Sequence, residues 1–333
     1  MAEKTFREAI IEAMAEEMRR DDRVVLIGED VGKFGGAMGA SKGLFAEFGE
    51  GRVIDTPISE AAIIGSGLGM ALTGQRPIAE LMFVDFSGVC MDQILNQVAK
   101  VRYMLGGQPK VPLVIRASCG AGKGYAAQHS QSLEAWFTHV PGLKVVMPAT
   151  PRDAKGLLKS AIRDDNPVMF LEHKLLYNNK GDVPGADPEF LIPLGKAEIK
   201  RQGTDITIAS HSRQVLNCLD AAAELAKQGI EAEVIDMRTL RPMDFDTVQA
   251  SVEKTNRFVY VEEGYPQCGI AAEVVARVAE HCFESLDMPP IRISARDTPI
   301  PFARVLEQAT IPSVRRIVDT VLAARKWAAP ATA

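Results

Sequence analysis

Three residues carry types and neighbours that suit chemistry: a glutamate, a histidine and a phenylalanine. The glutamate lies in Asp55-Thr56-Pro57-Ile58-Ser59-Glu60-Ala61-Ala62, which follows the short apolar strand Arg52-Val53-Ile54 and opens a small-residue segment closing near Gly74. Pro57 fixes its own φ and biases Thr56 away from helix, so a helix begins after it. Ser59 is a good N-cap, and Glu60 then stands in the first turn. Two readings of Glu60 compete. The helix dipole favours a carboxylate there by roughly 0.3–1 kcal/mol. Alternatively, Glu60 is an acid or base on a rigid element at the carboxyl edge of a parallel sheet, where such sites gather. His129, in Gln128-His129-Ser130-Gln131 just past a glycine loop, is either a surface histidine or a proton shuttle titrating near neutrality. Phe86, after Asp85, reads by itself as a core aromatic.

The elements that must hold these residues alternate in type. Thr5-Phe6-Arg7-Glu8 is a capping box, and Ile10, Met14 and Met18 repeat every four residues, so a helix follows. Val24-Val25-Leu26-Ile27 is a buried strand running into Gly28-Glu29-Asp30, and the glycine-rich loop from Gly32 to Gly43 is mobile or ligand-facing. Pro77 to Phe86 is a strand entering a loop. Ser87 to Met104 reads as one long helix with Val89, Ile94, Val98 and Val101 near one face, stopped by Gly106-Gly107. Val111 to Ala117, Lys144 to Pro148 and Val168 to Glu172 are further strands, and Thr150-Pro151 starts a helix that reaches about Arg163. Strands alternating with helices imply a parallel sheet.

Two glycine series invite a nucleotide reading and fail it. Gly120-Ala121-Gly122-Lys123-Gly124 has Ala117 and Gly124 where a phosphate loop needs glycine and a hydroxyl residue, and Gly65, Gly67 and Gly69 miss the dinucleotide spacing. From Asn178 to Lys196 the periodic pattern gives way to Asn, Gly, Pro and Asp, which reads as a linker. Beyond it, strands at Asp205–Ser210, Glu231–Asp236, Phe258–Glu262 and Ile291–Ser294, with helices at Gln214–Gln228 and Ile270–Phe283, make a smaller α/β unit. The expected organisation is therefore residues 1–177, a linker at 178–196, and a second domain over 197–333.

The 333 residues suffice for two cores, and 47% hydrophobic with 24% charged residues is a globular composition. A net charge of −5 argues against nucleic acid or an anionic membrane as partner. The polar start and the lack of any apolar run of about 18 residues make the cytoplasm the expected home. Five cysteines, an odd number without close pairs, read as reduced and mostly buried rather than as a disulfide framework or zinc site.

Taken together, several long motifs match one family in order. They are the Asp55–Glu60 and Ala127–Gln131 runs, Val140-Pro141-Gly142-Leu143-Lys144-Val145-Val146, and Asp153–Leu158 with Ala161–Pro167. In the second domain Ile235-Asp236-Met237-Arg238-Thr239-Leu240-Arg241-Pro242 and Thr298-Pro299-Ile300-Pro301 follow. From about Thr5 to Val321 the chain resembles the β subunit of the thiamine-diphosphate-dependent first component of 2-oxo acid and acetoin dehydrogenase complexes. The resemblance implies a transketolase-like fold, with a thiamine-diphosphate pyrimidine-binding domain and a transketolase C-terminal domain serving assembly and core docking. It implies an α2β2 heterotetramer, a cofactor shared at the α/β boundary, magnesium held by the α subunit, and inactivity of this chain alone.

By the same resemblance, Glu60 matches the glutamate that hydrogen-bonds a ring nitrogen of the aminopyrimidine. A carboxyl is needed there because protonating that nitrogen favours the tautomer that activates the thiazolium carbon. Phe86 matches the aromatic packed on the pyrimidine. His129 matches an active-site histidine for proton handling or for orienting the lipoyl group. Leu113, Ala161, Ile162, Asp164 and Asn166 match positions that hold a potassium ion in some members, largely through backbone oxygens, a ligand type that suits such a cation. The expected substrate is acetoin or pyruvate, with a branched-chain 2-oxo acid as a further candidate. Phe170–Tyr177 looks acetoin-type, while Glu262–Gln267 and Leu286–Pro290 look pyruvate-type. The acceptor is the lipoyl group of a dihydrolipoamide acyltransferase core. A competing expectation makes the chain mainly an assembly module between the α subunit and that core; a nicotinamide-dependent dehydrogenase is disfavoured by the glycine spacing.

Overall fold

The computed structural model describes residues 2–185, 187 and 189–325. Met1, residues 186 and 188 of the expected linker, and residues 326–333 of the expected second domain lie outside the described residues.

The first part of the chain runs β1 (Ala2–Thr5), α1 (Phe6–Arg20), β2 (Val24–Gly28), α2 (Leu44–Phe48), β3 (Val53–Asp55), α3 (Glu60–Leu72), β4 (Arg76–Phe83), a 3-10 turn (Val84–Cys90), a π-turn (Gln93–Val98), α4 (Val101–Met104), β5 (Val114–Cys119), α5 (Glu134–Thr138), β6 (Lys144–Val146), α6 (Pro151–Arg163), β7 (Val168–His173) and β8 (Lys180–Val183). The remainder adds β9 (Glu198–Arg201), β10 (Ile206–Ser210), α7 (Arg213–Ala226), β11 (Ala232–Asp236), β12 (Thr239–Arg241), α8 (Phe245–Thr255), β13 (Phe258–Val261), α9 (Ile270–His281), β14 (Ile291–Ile293), α10 (Arg304–Thr310) and α11 (Val314–Arg325).

A seven-stranded sheet has the order β12-β6-β7-β5-β4-β2-β3, and all its pairings are parallel except that of β12 with β6. A five-stranded sheet, β14-β13-β10-β11-β9, is parallel except at β9. β2, β5 and β7 are buried along their whole length, as strands covered on both faces must be, the buried Arg116 of β5 pairing with Glu172 of β7. Alternate residues serve opposite cores: Leu26, Ile78, Val114 and Phe170 pack with α1 and α6, while Ile27, Ala79, Ile115 and Met169 pack with α3 and the π-turn. The second of these cores continues into Ile235, Met237, Val274 and Tyr260, so the two sheets share a hydrophobic seam.

The helix signals act as read at two starts. Thr5 Oγ1 accepts from Glu8 N at 3.2 Å while Glu8 Oε2 accepts from Thr5 N at 2.7 Å. Thr150 caps α6 through Asp153 N with Pro151 at the first helical position. Elsewhere the structure differs from the sequence-based reading. Ser59 stands at the N-cap position of α3 but its side chain makes no capping bond. Ser87–Met104 is no single helix: it is a 3-10 turn, a π-turn and one α turn, and Val89, read as near one face with Ile94 and Val98, is 68% exposed while those two are buried. The changing residues-per-turn breaks the 3.6 periodicity that the expectation assumed. The 178–196 stretch contains β8, which pairs antiparallel with β1 (Ala2 opposite Val183). No described helix is long and apolar enough to cross a membrane.

Candidate active site at the carboxyl edge of the first sheet

The parallel strands of the first sheet all deliver their carboxyl ends to one edge. There β2 passes into Glu29 and Asp30, β3 ends at Asp55, β4 runs into Val84–Phe86, β5 into Gly120, and β7 into Lys174. The chain moves outward from β2 to β3 and returns past β2 to β4, so the strand order reverses between β2 and β4. A crevice at such a reversal is where α/β sheets take ligands.

Glu60 is the first residue of α3 and is half-buried. Its carboxylate has no hydrogen bond or ion pair among the described residues. Its charge reaches two neighbours. Burial raises the Glu29 carboxyl, with Asp30 and then Glu60 adding to the rise. Burial pushes the Cys90 thiol up to about 12, again with Glu60 contributing. Asp55, by contrast, is taken: Gly32 N donates to its Oδ1 at 2.6 Å, which ties the Gly32–Gly43 loop to the end of β3. Ser41 Oγ, donating to Val31 O at 2.7 Å, folds that loop on itself.

Phe86 and His129 meet beyond the ends of β4 and β5. Their ring centroids are 5.3 Å apart at 84°, and Phe83 contacts both, at 5.5 Å from Phe86 and 5.1 Å from His129. Tyr125 packs edge-on against Phe83 at 6.0 Å. Cys90, at the end of the 3-10 turn that carries Phe86, donates weakly to Phe86 O, and the same Cys90 feels Glu60. The structure thus gathers Glu60, Phe86 and His129 on one edge, with the last two in direct ring contact. Asp85 orients the His129 segment by accepting from Gln131 N and Nε2 at 3.2 and 2.9 Å. The second oxygen of Asp85 and the Ser130 hydroxyl are buried without protein partners.

Three further residues were not legible in the sequence. Lys174 is buried, lies 5.0 Å from the Phe83 ring centroid, and donates to the His129 carbonyl. Burial lowers its ammonium pKa, while Cys119, Asp85, Glu263 and Glu307 oppose the drop. Glu263 accepts from Ala121 N at 2.6 Å and from Gln214 Nε2 at 3.3 Å, and sits 3.0 Å from His173 Nε2. Since Leu175 N donates to His173 Nδ1, the Nε2 proton faces Glu263. Burial works against the Glu263 charge, yet His173 and the Ala121 and Gln214 donors outweigh it and hold the carboxyl at about 2. Glu307, fully buried, accepts from Gly122 N at 2.7 Å and from Gly124 N at 3.1 Å. The glycine loop that fails as a phosphate loop therefore binds two carboxylates of its own chain. All three residues act across long sequence separations, so no local pattern marks them.

Leu113, Ala161, Ile162, Asp164 and Asn166 gather at the opposite, amino edge, just before β5 and β7. Four of their carbonyls already have donors: Arg76 Nε to Ile162 O at 2.9 Å, Arg76 Nη2 to Asp164 O at 2.8 Å, Val168 N to Leu113 O at 2.9 Å, and Asp164 N to Ala161 O at 3.3 Å. Asn166 is bound to Asp164 Oδ1 through both N and Nδ2. Among the described residues no group of three or more His, Cys, Asp or Glu is arranged to hold a metal. Two clefts between the sheets, of about 740 and 630 Å³, adjoin at Ala135, His139, Cys268 and Gly269. Neither is lined by Glu60, Phe86 or His129.

Residues 2–180 match the family model "Transketolase, pyrimidine binding domain" and residues 195–317 match "Transketolase, C-terminal domain". The chain is similar to the pyruvate dehydrogenase E1 component subunit beta, mitochondrial, of Homo sapiens, at 51% identity over 320 residues, covering 95% of this chain and 89% of that protein. It is equally similar to the acetoin:2,6-dichlorophenolindophenol oxidoreductase subunit beta of Bacillus subtilis, at 51% identity over 330 residues, covering 96% of each. Among solved structures, a split-gene transketolase described as an inactive β4 tetramer superposes with a TM-score of 0.78 at 23% identity, covering 97% of this chain and 99% of that one. That last likeness concerns the fold.

Proposed function

Because the chain belongs to the family of β subunits of the thiamine-diphosphate-dependent first component (E1) of pyruvate and acetoin dehydrogenase systems, we propose that it supplies half of an active site for cleaving acetoin or pyruvate. Bound thiamine diphosphate would supply the carbanion and the electron sink for cleavage beside a carbonyl. Glu60 would hold a proton at the ring nitrogen of the aminopyrimidine, and Phe86 would pack on that ring. His129 would move a proton, or orient the lipoyl group, as the acyl group is passed on. The observation that carries the reading is Glu60: a carboxylate without a protein partner among the described residues, at the carboxyl edge, its charge reaching Cys90 on the turn that carries Phe86. The neighbouring buried oxygens of Asp85 and Ser130 that lack partners also suit a polar ligand.

The other half of the site would come from an α subunit in an α2β2 heterotetramer, which would hold the diphosphate and its magnesium. The acyl group would pass to the lipoyl arm of an acyltransferase core. A potassium ion would fit the turn formed by Leu113, Ala161, Ile162, Asp164 and Asn166 through the Asn166 carbonyl and the second lone pairs of the other four, next to the Arg76 guanidinium. The working compartment would be the cytoplasm, a reducing setting in keeping with five free cysteines.

The test is turnover by the co-purified α/β pair, followed as dye reduction with acetoin and pyruvate side by side. Activity should require thiamine diphosphate, magnesium and both subunits. Turnover by this chain alone, or without the cofactor, would overturn the half-site reading.

A further inference from the structure

The loop that leads from β5 to His129 is held from the second sheet's side of the molecule. Positive φ at Gly120, Gly122 and Gly124 turns successive backbone amides inward. A concave set of amides of this kind is an anion nest, and its anions are Glu263, at the end of β13, and Glu307, in α10. Ala121 N reaches Glu263 Oε1 at 2.6 Å, Gly122 N reaches Glu307 Oε1 at 2.7 Å, and Gly124 N lies 3.1 and 3.3 Å from the two Glu307 oxygens. At the other end of the loop Lys174 donates to the His129 carbonyl.

Glu307 is unusual for a fully buried carboxylate. Among the described residues it has no ion pair, and its side-chain hydrogen bonds go only to the glycine-loop amides. Burying a charge is tolerated only where hydrogen bonds compensate it. The loop and α10 are therefore mutually dependent: lifting the loop strands a buried charge.

We propose that Glu307, with Glu263, is a positioning residue that docks the Gly120–Gln131 loop onto the second unit and so sets where His129 stands. The second unit then acts on the reaction as well as on assembly. This inference rests on the reading of His129 as an active-site group.

The experiment uses the α/β assembly carrying Glu307→Gln, which keeps the shape and loses the charge, with Glu307→Ala and His129→Ala beside it. Backbone hydrogen exchange is read in peptides covering residues 120–131, together with the rate of acylation of a free lipoyl domain and the substrate KM in the dye assay. Loss of hydrogen bonds to a charged group should speed exchange in the loop by roughly ten- to a hundred-fold. Lipoyl acylation should fall by about tenfold or more, with the substrate KM unchanged. His129→Ala should lower acylation while leaving loop exchange at the wild-type rate. Wild-type loop exchange in Glu307→Gln overturns the docking. Faster exchange with undiminished acylation, where His129→Ala does slow acylation, overturns the positioning role. Undiminished acylation in His129→Ala would instead sink the reading of His129, and loop exchange would still decide the docking.

Discussion

A methyl group at Gly120 would occupy space that His173 already fills. A Cβ built there lies 2.2 Å from His173 Nε2 and 2.3 Å from its Cδ2, with φ at +86°. Two costs follow. An L residue in that backbone region is strained by roughly 1–2 kcal/mol. The imidazole must also swing out, breaking its contact with Glu263 at 3.0 Å, and a hydrogen bond to a charged group is worth about 1.5–3 kcal/mol. Gly120→Ala should therefore destabilise the assembly by roughly 3–5 kcal/mol. Gly124 is the internal control. Its φ is +71°, but a Cβ there meets only Phe302 O at 3.9 Å, so Gly124→Ala should cost only the strain, roughly 1–2 kcal/mol. Urea denaturation of the two variant assemblies, followed by fluorescence and compared by midpoint at constant slope, measures the difference. Equal midpoints would refute the argument, because they would mean that His173 and Glu263 do not hold the base of the loop.

Asp236 lies fully buried at the junction of the sheets, facing Asp153, Lys200 and Arg238, with Glu198 alongside. Burial and then Asp153 raise its carboxyl from 3.8 to about 7. A carboxyl raised on folding binds its proton more tightly in the folded state, so its stabilising effect is present at low pH and is lost as pH rises from about 4 to 7. Asp236→Asn should flatten the decline in urea unfolding free energy between pH 5 and 8, by up to roughly 3 kcal/mol; an unchanged decline would count against the assignment. Phe86→Ala should weaken thiamine diphosphate binding to the α/β pair by about fivefold, as loss of an aromatic contact of order 1 kcal/mol implies; isothermal titration would show it, and unaltered affinity would remove Phe86 from the site. Of the five cysteines, Cys268 is exposed and the other four are buried. A thiol reagent should therefore label the native free chain once and the unfolded chain at all five; rapid labelling of Cys90 would contradict its burial beside Glu60.

The elements legible in the sequence were those whose signals are local. The Thr5–Glu8 capping box, the Thr150-Pro151 start, the apolar run of β2 and the mostly apolar β5 and β7 each carry their own cause. Edge strands β1 and β8, Ala-Glu-Lys-Thr and Lys-Gly-Asp-Val, are polar and exist because they pair with each other across the chain. β12, inside the Ile235–Pro242 motif, likewise forms by pairing with β6 at the edge of the seven-stranded sheet. The Ser87–Met104 segment misled because its apolar residues suit several helix types, and packing selects among them. At the site, Glu60, Phe86 and His129 stand in motifs that could be read. Lys174, Glu263 and Glu307 become meaningful only through the fold: Ala121 and Glu263 are 142 residues apart, and Gly122 and Glu307 are 185 apart.

The claim that matters most is that this chain lends Glu60 to the cofactor. The direct measurement is the rate of hydrogen–deuterium exchange at the thiazolium carbon of thiamine diphosphate bound to the α/β assembly, wild type against Glu60→Gln. Loss of a positioned acid–base group should slow exchange by roughly 10²–10⁴-fold, while the α/β assembly and cofactor binding persist. Exchange at the wild-type rate in Glu60→Gln, with the cofactor bound, would contradict the account.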